Sequence, residues 1–585
     1  MSDSEFAARA SADRSLASRS GSFPGSVAAA HGRQRRLVLD TIVLGAAGAA
    51  AALMFTYLLR WCTALLLTGL AGYSPPGLPS EGGSAGQIIG PHGLWLVPLV
   101  AGLGGLVVGA LTEWLAPEAE GHGTDAVVRA FHRTEGRLRG RVAPVKLIAS
   151  AITIGSGGSA GREGPIALVA AGLGSWYATL TGRDARDRRL LLLVGAAAGL
   201  SAVFRSPIGT ALLVIEVLYS DVEFEAGALL YATLGAIVAY ALNGLVMGWE
   251  PLFRIPPIHP LHSALDTAWY IVLGLAAGIV ATITPELFYR TRDMMRALPV
   301  SPVVRPAIGA FLTGLIALVL PQIIAGGYGW VQLAIDGRIA LGTLAVLVIA
   351  KLLAMSLTVG SGGSGGVFAP TLYAGAMLGA LIAGISGLPS APLAIVGMAA
   401  VFAGAARVPI ATLMMVTEMT GGYTLLVPAA LAVIISYFVQ ARLSRGIRYA
   451  SLYEAQVPAR AASPAHQTQH LMTALHMLRE QAPRDLSAVG ELDLVALLRS
   501  GLAVDLPGER RLFAGALKPD SPVVGTTVGA SGRKLDGGNA NIVALVRDEQ
   551  IIVPTATTVL QPGDRLVVVT SEKRLQQLRE NLESW

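Results

Sequence analysis

One glutamate lies between glycines in an apolar part of the chain, in the segment Gly161-Arg162-Glu163-Gly164-Pro165. Proline is favoured in the first turn of a helix, because the N–H group that it lacks would have no partner there. The free amides of such a turn carry partial positive charge and attract anions. The segment therefore predicts an anion site at a helix start, with the Glu163 carboxylate in the place of a mobile anion. A loop ion pair between Glu163 and Arg162 is the alternative.

A second copy of this segment lies 205 residues further along the chain. Residues 146–165 and 351–370 are identical at eleven of twenty positions, including lysine, threonine and proline as well as glycine. Residues 194–217 and 396–419 also align, with an arginine, a proline and a glutamate in register. Two homologous halves follow from this repeat, and duplicated halves place a transport site where their broken helices meet.

The twin segment, Gly366-Val367-Phe368-Ala369-Pro370, has the same build without a carboxylate. Phe368 stands where Glu163 stands in the first copy. One half is therefore expected to supply a carboxylate gate, and the other only backbone amides and an apolar wall. Two helix N-termini packed for structural reasons alone are the alternative.

The composition places these segments in a membrane. The 585-residue chain is 53% hydrophobic and 14% charged, against about 25% charged in ordinary soluble domains. Segments such as 165–180 and 207–218 are shorter than the about 20 residues of a straight membrane helix, as in the broken helices of transporters. We predict an all-α polytopic membrane protein with repeat halves at about 36–250 and 265–445.

The two ends of the chain differ from this apolar region. Residues 1–35 are rich in Ser, Arg and Gly, which predicts a disordered cytosolic tail, and the net charge of +6 with clustered basic residues is typical of cytoplasmic flanks. Cys62 is the single cysteine, so no intramolecular disulfide forms. After a linker at 456–509, a small cytosolic α+β domain is predicted at 510–585, with β-branched runs at 542–546, 551–553 and 566–570 and a helix at about 572–582.

The two glycine-rich segments resemble the GREGP and GxFxP signatures of the CLC family of chloride channels and chloride/proton exchangers. The resemblance covers about residues 36–455 and implies a CLC-like antiparallel duplicated helix bundle, a homodimer with one pore in each subunit, and Glu163 as the gating residue. Because anions pass without covalent chemistry, no cofactor and no metal are expected. The implied anion-binding groups are backbone amides at Arg162, Glu163, Gly164, Val367 and Phe368, and the hydroxyl of Tyr453, whose alternative role is that of an ordinary interfacial tyrosine.

Two positions depart from the family pattern. Where the family carries GSGIP, this chain reads Gly121-His122-Gly123-Thr124-Asp125, which puts His122 at the anion-contacting serine. His122 could bind an anion, or face water at a capped helix start. Val217 replaces the internal proton-transfer glutamate, and a valine cannot relay a proton. The sequence favours a passive chloride channel, with a chloride/proton antiporter that uses another proton route, or selectivity for another anion, as alternatives.

Two further glutamates, Glu216 and Glu418, occupy the same position in the two halves. They are close in sequence to the repeated arginines Arg205 and Arg407. We predict that they are structural residues near these arginines and that they do not carry protons.

The C-terminal segment at about 510–582 is similar to the TrkA-C (RCK-C) subdomain of potassium-uptake and potassium-conductance regulators, on residues 520–525, 542–547 and 562–566. The similarity implies a dimerising module that can bind a small regulatory ligand at the dimer interface; a purely structural dimerisation cap is the alternative. With basic flanks on the cytoplasmic side, we expect a multi-pass protein of the inner (plasma) membrane with both termini cytoplasmic and no nucleic-acid partner.

Two rival functions are disfavoured. An intramembrane protease would need a His or Lys partner for its serine or a metal motif, and the chain has no H-E-x-x-H. A cation-coupled solute carrier would place carboxylates, and not amides, around its site. We therefore predict a transport protein and not an enzyme.

Overall fold

The computed structural model describes residues 24–84, 86–256 and 264–460, and shorter stretches beyond them at 463–466, 504–506, 510–519, 521–531, 541–547, 550–552, 554, 558–571 and 582–583. The chain forms two compact units, Met1–Gln456 and Val457–Trp585. Most of the predicted linker and nearly all of the predicted helix at about 572–582 lie outside the described residues.

The first half of the first unit is built from apolar helices, several of them too short to cross a bilayer. Their bounds are α1 (Pro24–Thr63), α2 (Val97–Leu115), α3 (Thr124–Arg133), α4 (Val142–Gly155), α5 (Glu163–Leu180), α6 (Ala185–Phe204), α7 (Pro207–Glu216) and α8 (Ala226–Met247). A π-helical stretch, Ala64–Leu70, extends α1, and two short antiparallel strands, β1 (Tyr73–Ser74) and β2 (Ile88–Ile89), lie in the connection to α2.

The second half repeats this order of helices. Their bounds are α9 (Ala264–Ala297), α10 (Arg305–Ala317), α11 (Tyr328–Ile335), α12 (Leu341–Gly360), α13 (Phe368–Ser386), α14 (Ser390–Ala406), α15 (Pro409–Thr420) and α16 (Leu426–Leu443). Seven helical segments among the described residues are long and apolar enough to cross a membrane. This confirms the predicted all-α polytopic fold with broken helices.

The predicted tail ends at residue 35, but helix α1 already begins at Pro24, twelve residues before residue 36. The prediction of disorder is therefore wrong for residues 24–35, and residues 1–23 lie outside the described part of the chain. The reason is local, because the stretch before Leu37 contains alanine, glutamine and arginine, which are strong helix formers.

The repeat extends to unusual backbone conformations. Helices α6 and α14 both end at an arginine in the left-handed region, Arg205 with φ of 55° and Arg407 with φ of 57°. Left-handed backbone is uncommon for residues other than glycine. Its occurrence at equivalent positions supports a true structural duplication.

The two halves also bind each other through the mirrored glutamates. The Glu216 carboxylate accepts hydrogen bonds from the amides of Ile410 and Ala411 at the start of α15, at 3.1 and 2.7 Å. The Glu418 carboxylate accepts from the Gly209 amide in α7 at 2.9 Å, and from the hydroxyl of Ser206 at 2.6 Å. Each glutamate therefore caps a helix of the opposite half.

The expected arginine neighbours of these glutamates are not their partners. The Arg205 guanidinium donates to the backbone carbonyls of Glu250 and Met247, at 2.6 and 3.0 Å. Arg407 donates to the side chains of Gln440 and Ser444, at 3.3 and 2.9 Å. The predicted structural role is supported, and the hydrogen bonds of the two nearby arginines go to groups other than these glutamates.

The second unit contains an antiparallel sheet. Its strands are β3 (Val504–Leu506), β4 (Arg510–Leu517), β5 (Asn541–Arg547), β6 (Gln550–Ile552) and β7 (Arg565–Ser571), in the order β3-β4-β7-β5-β6, with β8 (Leu582–Glu583) paired to β4. The core contains Leu517, Val523, Leu545, Leu560, Leu566 and Val568. Beside it, the buried Asp564 is held by the Arg547 guanidinium at 2.7 and 2.8 Å. The strands predicted at 542–546, 551–553 and 566–570 correspond to β5, β6 and β7.

Candidate anion pathway

The two glycine-rich segments of the repeat lie side by side inside the first unit. Gly161 and Gly366 exchange both backbone hydrogen bonds, with N···O distances of 2.8 and 2.7 Å. A second bridge joins Gly121 to Ser364, and here the amide of Gly365 donates to the Gly121 carbonyl at 3.1 Å. Segments that repeat in the sequence therefore meet at one place in the structure.

The first turns of α5 and α13 lie against this meeting point. A Cβ atom added to Gly161 would lie 3.1 Å from the amide nitrogen of Ala369, in α13. A Cβ atom added to Gly366 would lie 2.9 Å from the amide nitrogen of Gly164, in α5. Glycine permits these close backbone approaches. The electropositive starts of both helices are thus directed at the same small volume.

The Glu163 carboxylate occupies that volume. Its side chain is buried, and Glu163 as a whole is 1% exposed. One carboxylate oxygen, Oε1, accepts a hydrogen bond from the hydroxyl of Tyr328. The other, Oε2, lies next to Gly161 and has no hydrogen-bond partner among the described residues, although the Ala369 amide is an electrostatic neighbour. The carboxyl group of Glu163 therefore lies between the two helix starts.

Arg162 is not the ion-pair partner of Glu163. Its guanidinium binds the carboxylate of Glu81, with N···O distances of 2.5 and 3.3 Å, so the alternative of a loop ion pair at 162–163 is wrong. Glu81 lies in the connection between α1 and α2, outside the membrane-spanning helices. Burial alone would raise the pKa of Glu81, but the charge of Arg162 and its hydrogen bonds, with Arg60 and Arg205, hold that pKa below its usual value.

A small cavity of about 30 Å³ lies beside Glu163. Its walls are mostly apolar, and they carry the side chains of Phe368, Val217, Thr124 and Tyr453. This volume can hold a water molecule or a similar small group. Glu163, Gly164, Phe368 and Tyr453, all predicted as site residues, are therefore brought together around one cavity.

Thr124 lies two residues after His122, the residue at the family's serine position. It is the first residue of α3, lines the small cavity, and interacts with the side chain of Tyr453. The Tyr453 side chain is buried, with the residue 4% exposed. A threonine and a tyrosine are thus both available at the small cavity.

His122 lies outside the small cavity. Its Nε2 atom is 3.2 Å from the Asp125 carboxylate, its ring centroid is 5.5 Å from that of Tyr453, and Nδ1 has no hydrogen-bond partner among the described residues. It lines a wider, open cavity of about 400 Å³ that also contains Arg292 and Glu454. His122 therefore faces a polar vestibule that adjoins the Tyr453 end of the pathway.

Two buried lysines at equivalent positions of the repeat also support the site, although no role was predicted for them. Lys146 Nζ donates to the carbonyls of Ala119 and Gly121, at 3.0 and 2.6 Å. Lys351 Nζ donates to the carbonyls at positions 323 and 325, at 2.7 and 2.6 Å. Both lysines are fully buried. They hold the loops that lead into α3 and α11, and their identity in the repeat was the signal that could have revealed them.

Tyr328 and Glu81 were also missed, because the repeat contains no matching residue type for either. Among the described residues, no group of three His, Cys, Asp or Glu side chains is arranged to hold a metal ion. The chemistry available at this site is therefore that of amides, hydroxyls and one carboxylate.

Comparison with known proteins agrees with this geometry. The family model for voltage gated chloride channels matches residues 104–441, and the TrkA-C domain model matches residues 516–583. The H(+)/Cl(-) exchange transporter ClcA of Citrobacter koseri is 30% identical over 325 residues, which are 53% of this chain and 68% of the relative. The voltage-gated ClC-type chloride channel ClcB of the same organism is 33% identical over 339 residues, 55% of this chain and 77% of the relative.

Solved structures share the fold. The crystal structure of a CLC-type fluoride/proton antiporter matches with a TM-score of 0.61 at 23% identity, covering 72% of this chain and 98% of that one. A slow cyanobacterial Cl-/H+ antiporter matches with a TM-score of 0.59 at 22% identity, covering 71% and 95%. The chain therefore belongs to the voltage-gated chloride channel (CLC) family of anion-transport proteins and carries a C-terminal TrkA-C domain.

Proposed function

We propose that this protein carries chloride across the membrane and that Glu163 is the gate of its pathway. The observation that carries the proposal is the buried Glu163 carboxylate between the starts of α5 and α13. A carboxylate bound there blocks the site, and an anion enters when the side chain leaves. Because the first turns of both helices remain electropositive, they hold the anion in its place.

The anion-binding groups follow from the same arrangement. Backbone amides at Arg162, Glu163 and Gly164 bind the anion on one side, and those at Val367 and Phe368 bind it on the other. The Tyr453 hydroxyl completes the site at the end that adjoins the vestibule, with Thr124 next to it. His122 acts from the vestibule, where it attracts anions when it is protonated.

We further propose a passive channel. Val217 lines the small cavity next to Glu163 and has no proton to exchange, so the described lining offers no second carboxylate along it. A chloride/proton antiporter with another proton route is the second candidate. It is favoured by the vestibule, where His122 and Asp125 supply titratable groups close to Tyr453.

Reversal potentials test both candidates. The purified full-length protein is reconstituted in planar bilayers under a chloride gradient, with and without a pH gradient. A passive channel reverses at the chloride equilibrium potential, and a pH gradient does not move that potential. A shift with the pH gradient would establish the antiporter, whereas sodium-dependent uptake without chloride current would refute anion transport.

Replacement of the gate provides the control for this measurement. Glu163→Ala should raise chloride flux, because the blocking carboxylate is gone. Glu250→Gln, at an exposed glutamate that pairs with Arg254 at 2.9 Å, should leave the flux unchanged. Equal flux in both variants would contradict the gating role.

The cellular setting is proposed on the same basis. We place the chain in the inner (plasma) membrane as a homodimer with both termini cytoplasmic, which follows from its family and from its basic N-terminal segment. The TrkA-C domain then dimerises in the cytosol and binds a small regulatory ligand between its two copies. Crosslinking in intact cells, together with protease protection of each terminus, tests this arrangement.

A further inference from the structure

Tyr328 is the only described side chain whose hydroxyl is hydrogen-bonded to the Glu163 carboxylate. It reaches Glu163 from the first residue of α11, in the other half of the repeat. Its ring lies 5.3 Å from the guanidinium carbon of Arg162 and 5.9 Å from the ring of Phe253. The ring therefore contacts both a cation and an aromatic group, and its hydroxyl binds the carboxylate.

The first residue of α11 has a structural counterpart in the first residue of α3. Tyr328 begins α11 as Thr124 begins α3, and each follows a glycine with positive φ, 77° at Gly327 and 86° at Gly123. The loops before both helices are held by the repeated lysines described above. Both helix starts thus carry a hydroxyl, but of these two only the Tyr328 hydroxyl is hydrogen-bonded to the Glu163 carboxylate.

The neighbours of Tyr328 are fixed by a second layer of contacts. Arg162, which covers its ring, is bound by Glu81 at 2.5 Å. The adjacent residue, Ser80, donates from its hydroxyl to the Leu252 carbonyl at 2.6 Å and accepts at its own carbonyl from Arg205 at 3.2 Å. This connection between α1 and α2 therefore clamps the Arg162 side chain above Tyr328.

We propose that Tyr328 is a positioning residue that latches Glu163 in its blocking place. The inference rests on the proposed function and adds to it the group that an entering anion must outcompete. A hydrogen bond to a carboxylate is charge-assisted and stronger than one between neutral groups. Because of this bond, only a small fraction of molecules has a vacant site. The apparent anion affinity is the intrinsic affinity multiplied by that fraction.

The test is Tyr328→Phe in the full-length protein. Chloride titration by calorimetry should show about tenfold tighter apparent binding, which corresponds to about 1.4 kcal/mol, and chloride efflux from liposomes should rise by a similar factor. The matched control is Tyr73→Phe, which removes a buried hydroxyl bonded to the Pro321 carbonyl at 3.3 Å and should change neither quantity. The thermal unfolding midpoints of both variants show whether they are folded.

A double-mutant cycle distinguishes a latch from a general packing effect. In a Glu163→Ala background the latch has nothing to hold, so adding Tyr328→Phe should change flux less than twofold. If Tyr328→Phe weakens chloride binding, the tyrosine is an anion ligand and the latch is refuted. If it matches Tyr73→Phe while Glu163→Ala still raises flux, the latch alone fails. If neither the native protein nor Glu163→Ala carries chloride, the proposed function fails and the latch with it.

Discussion

Gly164→Ala tests most directly whether the helix starts approach each other as closely as the structure indicates. An alanine Cβ at this position would overlap the carbonyl oxygen of His122 and lie 3.2 Å from the Cα of Gly366. Both neighbours are backbone atoms and cannot rotate away. The start of α5 must therefore move by roughly 1 Å to restore van der Waals separation.

Two effects of this movement can be given magnitudes. Overpacking of a close-packed interior costs about 1–3 kcal/mol of stability. The interaction of a partly buried charge with a helix terminus is worth up to about 2 kcal/mol and falls off within the first turn. We therefore expect a lower thermal unfolding midpoint and about tenfold weaker chloride binding, equivalent to about 1.4 kcal/mol.

Chloride calorimetry and thermal unfolding of the same detergent-solubilised sample measure both effects. The control is Gly227→Ala in the first turn of α8, where an added Cβ has no atom within 4 Å. That change should be neutral or slightly stabilising, since alanine is a better helix former than glycine. Native chloride affinity and a native unfolding midpoint in Gly164→Ala would refute the reasoning that the two glycine-rich segments form a close-packed anion site.

Other buried polar groups give separate predictions, each measured as the free energy of unfolding unless stated. Glu216→Ala removes the acceptor of two amides at the start of α15, and each amide left without an acceptor costs about 1–3 kcal/mol. The variant should therefore be clearly less stable than Glu250→Ala, and equal stability would contradict the capping role. Lys146→Met removes the lysine donor from the carbonyls of Ala119 and Gly121, which then keep one donor each, the Ser364 hydroxyl and the Gly365 amide. The loss of two buried hydrogen bonds should cost about 1–3 kcal/mol, with the thermal midpoint as the measurement and an unchanged midpoint as the contrary result. Arg547→Met leaves the buried Asp564 carboxylate unpaired and should destabilise the C-terminal sheet by about 3–5 kcal/mol, seen as faster amide exchange in β5 and β7. Because the pKa of Glu81 is lowered in the folded chain, its pairing stabilises the protein above an unfolded pKa of about 4.3 and is lost as the pH falls through the lowered value. The stability difference between the native protein and Glu81→Gln should therefore shrink as the pH is lowered, and a difference that does not change with pH would contradict the pairing.

The backbone of the site could be predicted from the sequence because glycine and proline act locally. Proline at a helix start and glycine at a close approach each restrict the chain within a few residues, whatever the surroundings. The repeat contains this glycine and proline pattern twice. The predicted starts of α5 and α13 agree with the helices observed at Glu163 and Phe368. The prediction that a carboxylate lies at this point needed only one further fact, the position of Glu163 between the glycines.

The side chains around that backbone could not be predicted in the same way. Tyr328 reaches Glu163 across 165 positions of sequence, so only the tertiary fold brings the two together. His122 occupies the sequence position of the family serine, but its ring turns to Asp125 and the vestibule, and Thr124 faces the small cavity instead. Such orientations depend on which neighbours compete for each polar group, and the sequence pattern does not encode that competition.

The two halves share the residues that fix the backbone of the proposed pathway and differ in the side chains that make it asymmetric. The residues that are identical in the repeat, mainly glycines, the lysines and the prolines, fix loops and helix starts, and they would by themselves produce a symmetric site. The differences lie at the positions of the proposed anion site. Glu163 is matched by Phe368, so only one of these two helix starts carries a carboxylate, and Thr124 is matched by Tyr328, whose hydroxyl binds that carboxylate. For the proposed chloride pathway, this means that the symmetric backbone supplies the anion site and that the unequal side chains supply the gate.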